Sequence, residues 1–196
     1  RPPPITMSAA KLKTFIQAAT RELSAPLDAR AATARLRPLL AGLVASDDWL
    51  DDVFCQPHPQ YYQQYLLHCD PLERFSVVSF VWGPGQSTPV HDHTVWGLIG
   101  MLRGSEVSTA YRLGPGGLQR GEETVLRPGD VEVLLPDEND IHQVRNAHSD
   151  RVSISIHVYG ANIGTVRRHV YDPATGQGKS FVSGFSSAYL PNVWAA

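Results

Sequence analysis

Residues 85–104 read GQSTPVHDHTVWGLIGMLRG, and this stretch decides the fold. It places His91 and His93 two residues apart, just before an apolar run bounded by Gly97 and Gly104. Successive side chains of a strand point to opposite faces, so a spacing of two puts both imidazoles on the same face. The stretch therefore predicts a strand, or the approach to one, that carries two histidines toward one side of a sheet.

Four further segments have the composition of short strands. They are rich in β-branched and aromatic residues, and Gly-Pro turn signals separate them. The segments are FSVVSFVW (75–82), EVSTAYRL (106–113), VEVLLP (131–136) and RVSISIHVYG (151–160). The pattern predicts an antiparallel β-barrel or sandwich over about residues 61–196. The closing residues are expected to form turns and short strands, with a tail ending at Trp194 that packs back across the barrel.

About residues 1–60 are predicted to be helical. A first amphipathic helix is expected over residues 8–23, with Ser8 as its N-cap. A second is expected over Ala29–Val44, where Pro38 should kink it or mark a boundary, and a third, shorter one after Ser46. The residues that form the apolar face of the first helix are Leu12, Phe15, Ile16 and Ala19.

Composition limits the class of protein. A chain of 196 residues with 42% hydrophobic residues predicts a single domain over residues 1–196. The net charge of -2 provides no broad cationic field, so neither nucleic acid nor membrane is expected as a partner, and no protein partner is evident. No apolar run is long enough to cross a bilayer and the first residues do not read as a signal peptide, so we expect a cytoplasmic protein.

A third histidine extends the pair. His142 lies in PDENDIHQVRN, shortly after the predicted strand VEVLLP, and an antiparallel barrel can bring its ring to His91 and His93. Three neutral imidazoles that converge inside a barrel form a metal site. We therefore predict that these three histidines bind one metal ion.

These residues resemble the motifs of the cupin barrels. The pattern G-x5-H-x-H-x3-G-x6-G, from Gly85 to Gly104, is similar to the first cupin motif, although Gly97 stands where a glutamate ligand is usual. His142 followed by Asn146 resembles the end of the second motif. The resemblance implies a mainly β cupin (double-stranded β-helix, jelly-roll) barrel with an N-terminal helical segment.

A cupin with three histidines and no acidic ligand resembles the thiol dioxygenases, the family of cysteine dioxygenase and 3-mercaptopropionate dioxygenase. Ser155, His157 and Tyr159 alternate along one predicted strand and so share a face. The same Ser-x-His-x-Tyr arrangement is that family's relay beside the iron, which implies a catalytic role for these three residues and binding of substrate by Tyr159. A buried hydrogen-bond chain without a catalytic role is the alternative.

Two positions separate the branches of that family. Gln64 stands where the animal-type enzymes carry an arginine that binds the substrate carboxylate, which resembles the bacterial Gln-type 3-mercaptopropionate dioxygenases. In TVRRHVYD, Arg168 falls where cysteine dioxygenases carry a cysteine. We predict that Arg168 binds the substrate carboxylate or orients it, with Arg167 as the alternative. Gly97 also replaces the cysteine that animal enzymes join to the tyrosine, so Tyr159 is expected to remain an unmodified phenol.

The resemblance implies an oxidoreductase, a sulfur dioxygenase that holds a single Fe(II) per chain. It would oxidise a small carboxylate thiol, 3-mercaptopropionate in our prediction, to its sulfinic acid and incorporate both atoms of O2. Cysteine as the substrate, a zinc-dependent hydrolase and a non-catalytic ligand-binding cupin remain as alternatives. No catalytic role is assigned to either cysteine of the chain, Cys55 or Cys69.

Overall fold

A computed structural model describes residues 9–187 of the chain. Two α-helices come first and eleven strands follow within this part. The helices are α1 (Ala9–Glu22) and α2 (Ala29–Val44). The strands are β1 (Gln63–Cys69), β2 (Ser76–Trp82), β3 (Val90–His91), β4 (Gly97–Arg103), β5 (Glu106–Gly114), β6 (Gly117–Leu126), β7 (Val131–Leu134), β8 (His142–Asn146), β9 (Ser153–Tyr159), β10 (Arg168–Tyr171) and β11 (Gly178–Phe181). Single 3₁₀ turns lie at Asp52–Phe54 and Ile163–Thr165.

The strands form two antiparallel sheets. One sheet has the order β1-β2-β9-β4-β7, and the other has the order β11-β10-β3-β8-β5-β6. The predicted strand segments all become strands, and the Gly-Pro turns lie between them. The prediction of a mainly β, double-stranded β-helix barrel with N-terminal helices is confirmed.

Successive side chains of β9 point alternately to the face of the sheet that the helices cover and to the barrel interior. Ile154, Ile156 and Val158 pack in the core shared with the two helices. Tyr159 packs in a second cluster inside the barrel, together with Trp82 of the neighbouring strand. Because the period of two is a property of any strand, each polar residue between the apolar ones is directed into the barrel.

Helix α2 covers the outer face of the first sheet. Leu36 and Leu40 are fully buried there, and burial of each side chain contributes about 1.5–3 kcal/mol. Gly100 of β4 permits the close approach, since a Cβ at this position would lie 2.9 Å from side-chain atoms of Leu40 and Val44. The helix begins where Asp28 caps it by accepting a hydrogen bond from the backbone N–H of Ala31 at 2.8 Å.

Some helical predictions need correction. The helix continues through Pro38 to Val44, so this proline does not mark a boundary. Between Ser46 and β1 the structure shows bends and the 3₁₀ turn at Asp52–Phe54 but no α-helix, so the third predicted helix is wrong. Asp48 accepts hydrogen bonds from Lys11, and the Trp49 indole donates to the Leu43 carbonyl at 2.9 Å. These side-chain contacts stabilise an irregular conformation of the segment after Ser46.

The apolar face of the first helix packs as predicted. Phe15 and Ala19 are buried, and Leu12 and Ile16 pack against the same core. Ser8 and the tail that ends at Trp194 lie outside the described residues. Over residues 9–187, every helix is too short or too polar to span a membrane. The single domain over residues 1–196 stays a prediction.

Candidate metal centre

Three histidines meet inside the barrel. His91 ends β3 and lies opposite His142, the first residue of β8, in the antiparallel register. His93 follows two residues after His91 on the same segment. The ligand atoms of the three side chains all lie within 4.8 Å of one another, and all three residues are buried. The predicted trio is therefore brought together by one strand pair and its continuation.

Each of these imidazoles makes a hydrogen bond through Nδ1. The distances are 3.0 Å from His91 to the Pro89 carbonyl, 2.9 Å from His93 to Asp140 and 3.3 Å from His142 to the Ser108 hydroxyl. A carbonyl and a carboxylate accept only, so His91 and His93 carry their proton on Nδ1. Their Nε2 lone pairs are thereby left free to bind a metal, which is the usual role of such partners behind ligand histidines.

The electrostatics keep two of the three histidine rings neutral. Burial, together with the neighbouring histidines, holds the pKa values of His91 and His142 well below the ordinary value, so both rings are uncharged at neutral pH. Among the described residues, the group contains no carboxylate ligand. Three neutral imidazole nitrogens suit first-row divalent metals such as iron and zinc, so the residues fit a resident metal ion.

Two acidic residues behind the histidines were missed from the sequence. Asp140 accepts hydrogen bonds from the backbone N–H groups of His93 and Thr94, at 3.0 and 2.9 Å, in addition to the His93 ring. Glu132 accepts a hydrogen bond from the Ser108 hydroxyl at 3.0 Å and so supports His142 indirectly. The position of Asp140, two residues before a candidate ligand, was an available signal, because ligand histidines commonly have a carboxylate partner.

Ser155, His157 and Tyr159 form a continuous hydrogen-bonded chain on the inner face of β9. Ser155 Oγ lies 2.8 Å from His157 Nε2, and His157 Nδ1 lies 2.8 Å from the Tyr159 hydroxyl. Burial holds the pKa of His157 well below, and that of Tyr159 well above, its ordinary value, so both are neutral at neutral pH. The Tyr159 ring stacks against His93, with ring centroids 5.4 Å apart. The relay thus ends beside the three histidines.

Aromatic residues that the sequence left unassigned support this chain. The Trp82 indole N–H donates to Ser155 Oγ at 3.2 Å. Phe80 stacks on the His157 ring, with centroids 3.9 Å apart. Neither residue was assigned to the site from the sequence, because a fully buried strand gives no sign of which side faces a cavity.

Gly97 lies directly beside Tyr159. The two residues are opposite each other in the β4–β9 register, and a Cβ at Gly97 would lie 3.1 Å from two carbons of the tyrosine ring. Glycine brings no sulfur to this position. Cys55 and Cys69 are buried free thiols, and neither lines the cavity next to the histidines. An unmodified phenol at Tyr159 therefore remains our expectation.

A cavity of about 240 Å³ opens beside the histidines. Gln64, Arg168 and Tyr159 all contribute to its wall, so the structure brings the predicted substrate-binding residues together at one place. The remaining wall is largely apolar and is formed by Tyr62, Phe80, Trp82, Thr88, Pro89, Val144, Val170, Phe181 and Ser183, with His91, His142 and His157.

Arg168 is the inward arginine of the pair. Its side chain is 4% exposed, and one Nη2 hydrogen is donated to Ser183 at 2.6 Å. Its buried Nε has no hydrogen-bond partner among the described residues, and its guanidinium lies 4.8 Å from the centre of the Phe181 ring. Arg167 is exposed and contacts Ser180 at 3.3 Å. Burial lowers the pKa of Arg168 from its ordinary value, yet a guanidinium remains charged at neutral pH.

The comparisons with known proteins agree with these motifs. The family model described as cysteine dioxygenase type I matches residues 51–172. A curated relative, cysteine dioxygenase type 1 from Bos taurus, is 24% identical over 120 residues, which cover 59% of this chain and 58% of that protein. The match therefore spans less than two thirds of the length of that relative.

Solved structures with similar folds are more distant. A double-stranded β-helix protein from Klebsiella pneumoniae has a TM-score of 0.44 and 17% identity, with coverage of 67% of this chain and 87% of that chain. A conserved barrel domain protein from Rhodopseudomonas palustris has a TM-score of 0.44 and 15% identity, with coverage of 61% and 75%. Likeness at this level carries no information about activity.

Proposed function

The chain belongs to the cysteine dioxygenase type I family, and from this premise we propose that it is an iron(II) thiol dioxygenase. Its proposed substrate is a small carboxylate thiol, 3-mercaptopropionate, which it would convert to the sulfinic acid with O2. His91, His93 and His142 would hold the metal through Nε2. Bound iron(II) supplies an electrophile that favours thiolate over thiol and the redox chemistry that dioxygen requires.

The observation that carries the proposal is the state of Arg168. A buried guanidinium is costly unless an anion or several acceptors compensate for its lost hydration. Among the described residues, Arg168 makes one short hydrogen bond, to Ser183, and has no ion pair with an acidic side chain. Arg168 lines the same cavity as two of the candidate ligands, His91 and His142, and its buried Nε has no hydrogen-bond partner among the described residues. A substrate carboxylate would satisfy this cation while its thiol reaches the metal.

The cavity lining also favours a thiol without an amino group. No acidic side chain of the described residues lines it, so the ammonium group of cysteine would meet no opposite charge there. Gln64 offers an uncharged amide, which can donate to a carboxylate without adding a second cation. We infer that 3-mercaptopropionate is preferred to cysteine for this reason.

The residues around the metal would position the substrate and exclude water. Arg168 and Gln64 fix the carboxylate end, and the aromatic wall of Phe80 and Trp82 keeps the reacting end dry. The Tyr159 hydroxyl would hydrogen-bond the substrate or the reacting oxygen. The thiol loses its proton and both atoms of O2 end on sulfur, so the reaction balances without an external reductant.

The test is oxygen uptake by anaerobically purified, Fe(II)-loaded protein. We would offer 3-mercaptopropionate, cysteine and cysteamine in parallel and identify the product by mass spectrometry. Uptake matched by sulfinate, with 3-mercaptopropionate fastest, supports the proposal. If cysteine is oxidised fastest, the result supports the dioxygenase reaction but contradicts 3-mercaptopropionate as the substrate. If the iron-loaded protein consumes no oxygen with any thiol, the dioxygenase proposal fails, and the zinc-loaded protein is then assayed as a hydrolase.

Replacement of Gln64 by alanine is expected to raise the KM for 3-mercaptopropionate about tenfold, because one hydrogen bond to a charged group, worth about 1.5 kcal/mol, is lost. Iron content should stay at the level of the unchanged protein. Gln63→Ala is the matched control, since its side chain is absent from the cavity lining. Unchanged kinetics with every thiol in Gln64→Ala would remove this residue from the binding site.

Substitution of Tyr159 by phenylalanine is expected to lower kcat roughly 100-fold, as is typical when a positioned proton donor is removed. The ring and its stacking on His93 remain, so bound iron should be unchanged. Parallel measurements of oxygen uptake and metal content check this. Loss of iron in the variant would instead make the phenol oxygen a metal ligand.

A further inference from the structure

The segment after β11, residues 182–187, joins the two sheets beside the cavity. β11 is an edge strand of one sheet, and β1 is an edge strand of the other. The Gly184 N–H donates to the Gly164 carbonyl at 2.9 Å, and the Ser186 N–H donates to the carbonyl of Gln64, in β1, at 2.7 Å. The segment therefore crosses from the edge of one sheet to the edge of the other, and we call it the strap.

Ser183 of the strap holds the guanidinium group of Arg168. Its hydroxyl oxygen accepts a hydrogen bond from Arg168 Nη2 at 2.6 Å, and its own hydrogen is donated to the Gly184 carbonyl at 3.1 Å. A hydroxyl has only one hydrogen, so Ser183 acts as an acceptor toward the arginine. The Phe181 ring, whose centre lies 4.8 Å from the guanidinium carbon, contacts the same group. Arg168 is thus held in place while its Nε has no hydrogen-bond partner among the described residues and stays available to a ligand.

Ser186 of the strap holds the main chain of Gln64. Its Oγ accepts a hydrogen bond from the Gln64 backbone N–H at 2.9 Å, in addition to the bond that its own N–H donates to the Gln64 carbonyl. Ser187 Oγ accepts from the backbone N–H of Leu66 at 3.1 Å, so the contact continues along β1. Both backbone groups of the residue whose side chain lines the cavity are therefore bonded to the strap.

Apolar packing keeps the strap in place. Phe185 packs against the cluster inside the barrel that contains Trp82 and Tyr159. This contact and the backbone hydrogen bonds of Gly184 and Ser186 do not depend on any serine hydroxyl. Loss of one hydroxyl should therefore change how the strap orients its neighbours without releasing the strap from the barrel.

We propose that two serines of the strap, Ser183 and Ser186, are positioning residues for carboxylate binding. They hold Arg168 and Gln64 at a fixed distance from the three histidines, so the strap selects the length of the carboxylate thiol. A side chain that is already immobilised loses less conformational freedom when it binds a ligand. A fixed guanidinium group also suits one separation between sulfur and carboxylate better than others. The proposal rests on the proposed function, because it assumes that the sulfur binds the metal while the carboxylate meets Arg168.

The first experiment measures carboxylate binding without any reaction. Propionate has the carboxylate but no thiol, and nitrogen-15 NMR of Arg168 Nε in the zinc-loaded full chain reports its binding at that residue. We expect the Nε signal to shift on titration, and Ser183→Ala to raise the dissociation constant about tenfold, as when a side chain must be immobilised on binding. Ser183→Thr keeps the hydroxyl and should bind propionate as the unchanged chain does. Ser180→Ala is the matched control, because Ser180 contacts the exposed Arg167, and its dissociation constant should not change.

The second experiment compares mercaptoacetate, 3-mercaptopropionate and 4-mercaptobutyrate, which differ in the number of carbon atoms between sulfur and carboxylate. Their binding to the zinc-loaded chain and their oxidation by the iron-loaded chain are both measured. The unchanged chain should prefer 3-mercaptopropionate, and Ser183→Ala should raise its KM about tenfold, with kcat and iron content unchanged, and reduce the preference over the longer thiol. Ser186→Ala should act in the same direction but more weakly, by about threefold, because its backbone N–H still binds Gln64. Any turnover of cysteamine should not change in either variant.

These results separate the two proposals. An unchanged chain whose Arg168 signal does not respond to propionate overturns the role of the strap, whether or not thiols are oxidised. The same holds if Ser183→Ala binds propionate as tightly as the unchanged chain, keeps its length preference, or loses cysteamine turnover equally. Weaker propionate binding and a relaxed length preference on zinc, in a protein that oxidises no thiol on iron, support the strap and refute the dioxygenase proposal instead. Ser186→Ala decides the question if Ser183→Ala does not fold.

Discussion

A chain with alanine in place of His142 is expected to retain almost no divalent metal and to oxidise no thiol. The change removes one of three neutral nitrogen donors that lie within 4.8 Å of one another. The two imidazoles that remain are one donor fewer than the site needs to hold the metal. Ser108 and Glu132 also lose the imidazole ring that they support. The iron content measured after anaerobic loading should fall from about one equivalent to background.

A matched change at another histidine separates metal loss from damage to the fold. His58 stacks on Tyr61 outside the metal group, so His58→Ala should keep both iron and activity. Circular dichroism of both variants should match the unchanged chain, because the sheets do not depend on the metal for their core. A His142→Ala protein that still binds a full equivalent of iron would show that the three-histidine site is assigned wrongly.

Replacement of Arg168 by methionine is expected to lower kcat/KM for 3-mercaptopropionate about 100-fold, which corresponds to about 3 kcal/mol. The loss arises because the substrate carboxylate would enter a cavity that no longer contains a cation. Iron content should stay unchanged. The thermal midpoint should not fall, because the variant removes a buried charge that has no acidic partner among the described residues.

The neighbouring arginine and a substrate without a carboxylate provide the controls. Arg167 is exposed, so Arg167→Met should leave the kinetics unchanged. Any turnover of cysteamine, which has no carboxylate, should be insensitive to Arg168→Met. If Arg168→Met lowers the turnover of cysteamine and of 3-mercaptopropionate equally, Arg168 supports the cavity wall and does not bind the carboxylate.

The barrel could be predicted because its signals are local. Each strand segment carries its own alternation and β-branched composition, and the Gly-Pro turns mark where it ends. The third helix after Ser46 failed for the opposite reason. Its acidic first turn resembles a helix start, but Asp47 and Asp48 bind Arg103 and Lys11, which are distant in sequence. A local pattern cannot register such partners.

Parts of the candidate site could also be predicted from short stretches of sequence. His91 and His93 share a face because of strand geometry alone, and the same holds for Ser155, His157 and Tyr159. Neighbouring residues could not show which of Arg167 and Arg168 points inward, because this depends on which side of β10 faces the cavity. The supporting residues Asp140 and Glu132 were missed because each contacts a partner that is distant in the sequence.

The sequence by itself determined the periodicity of the strands, the histidine pair and the serine, histidine and tyrosine on one face, since these follow from covalent geometry over a few residues. Only the tertiary structure decided how β3 pairs with β8, and so how His142 meets the pair. It also placed Arg168 in the cavity and Asp140 behind His93. The physical reason is that strand register and sheet packing depend on contacts between distant segments, and hydrogen bonds of buried polar groups are completed only when those segments meet.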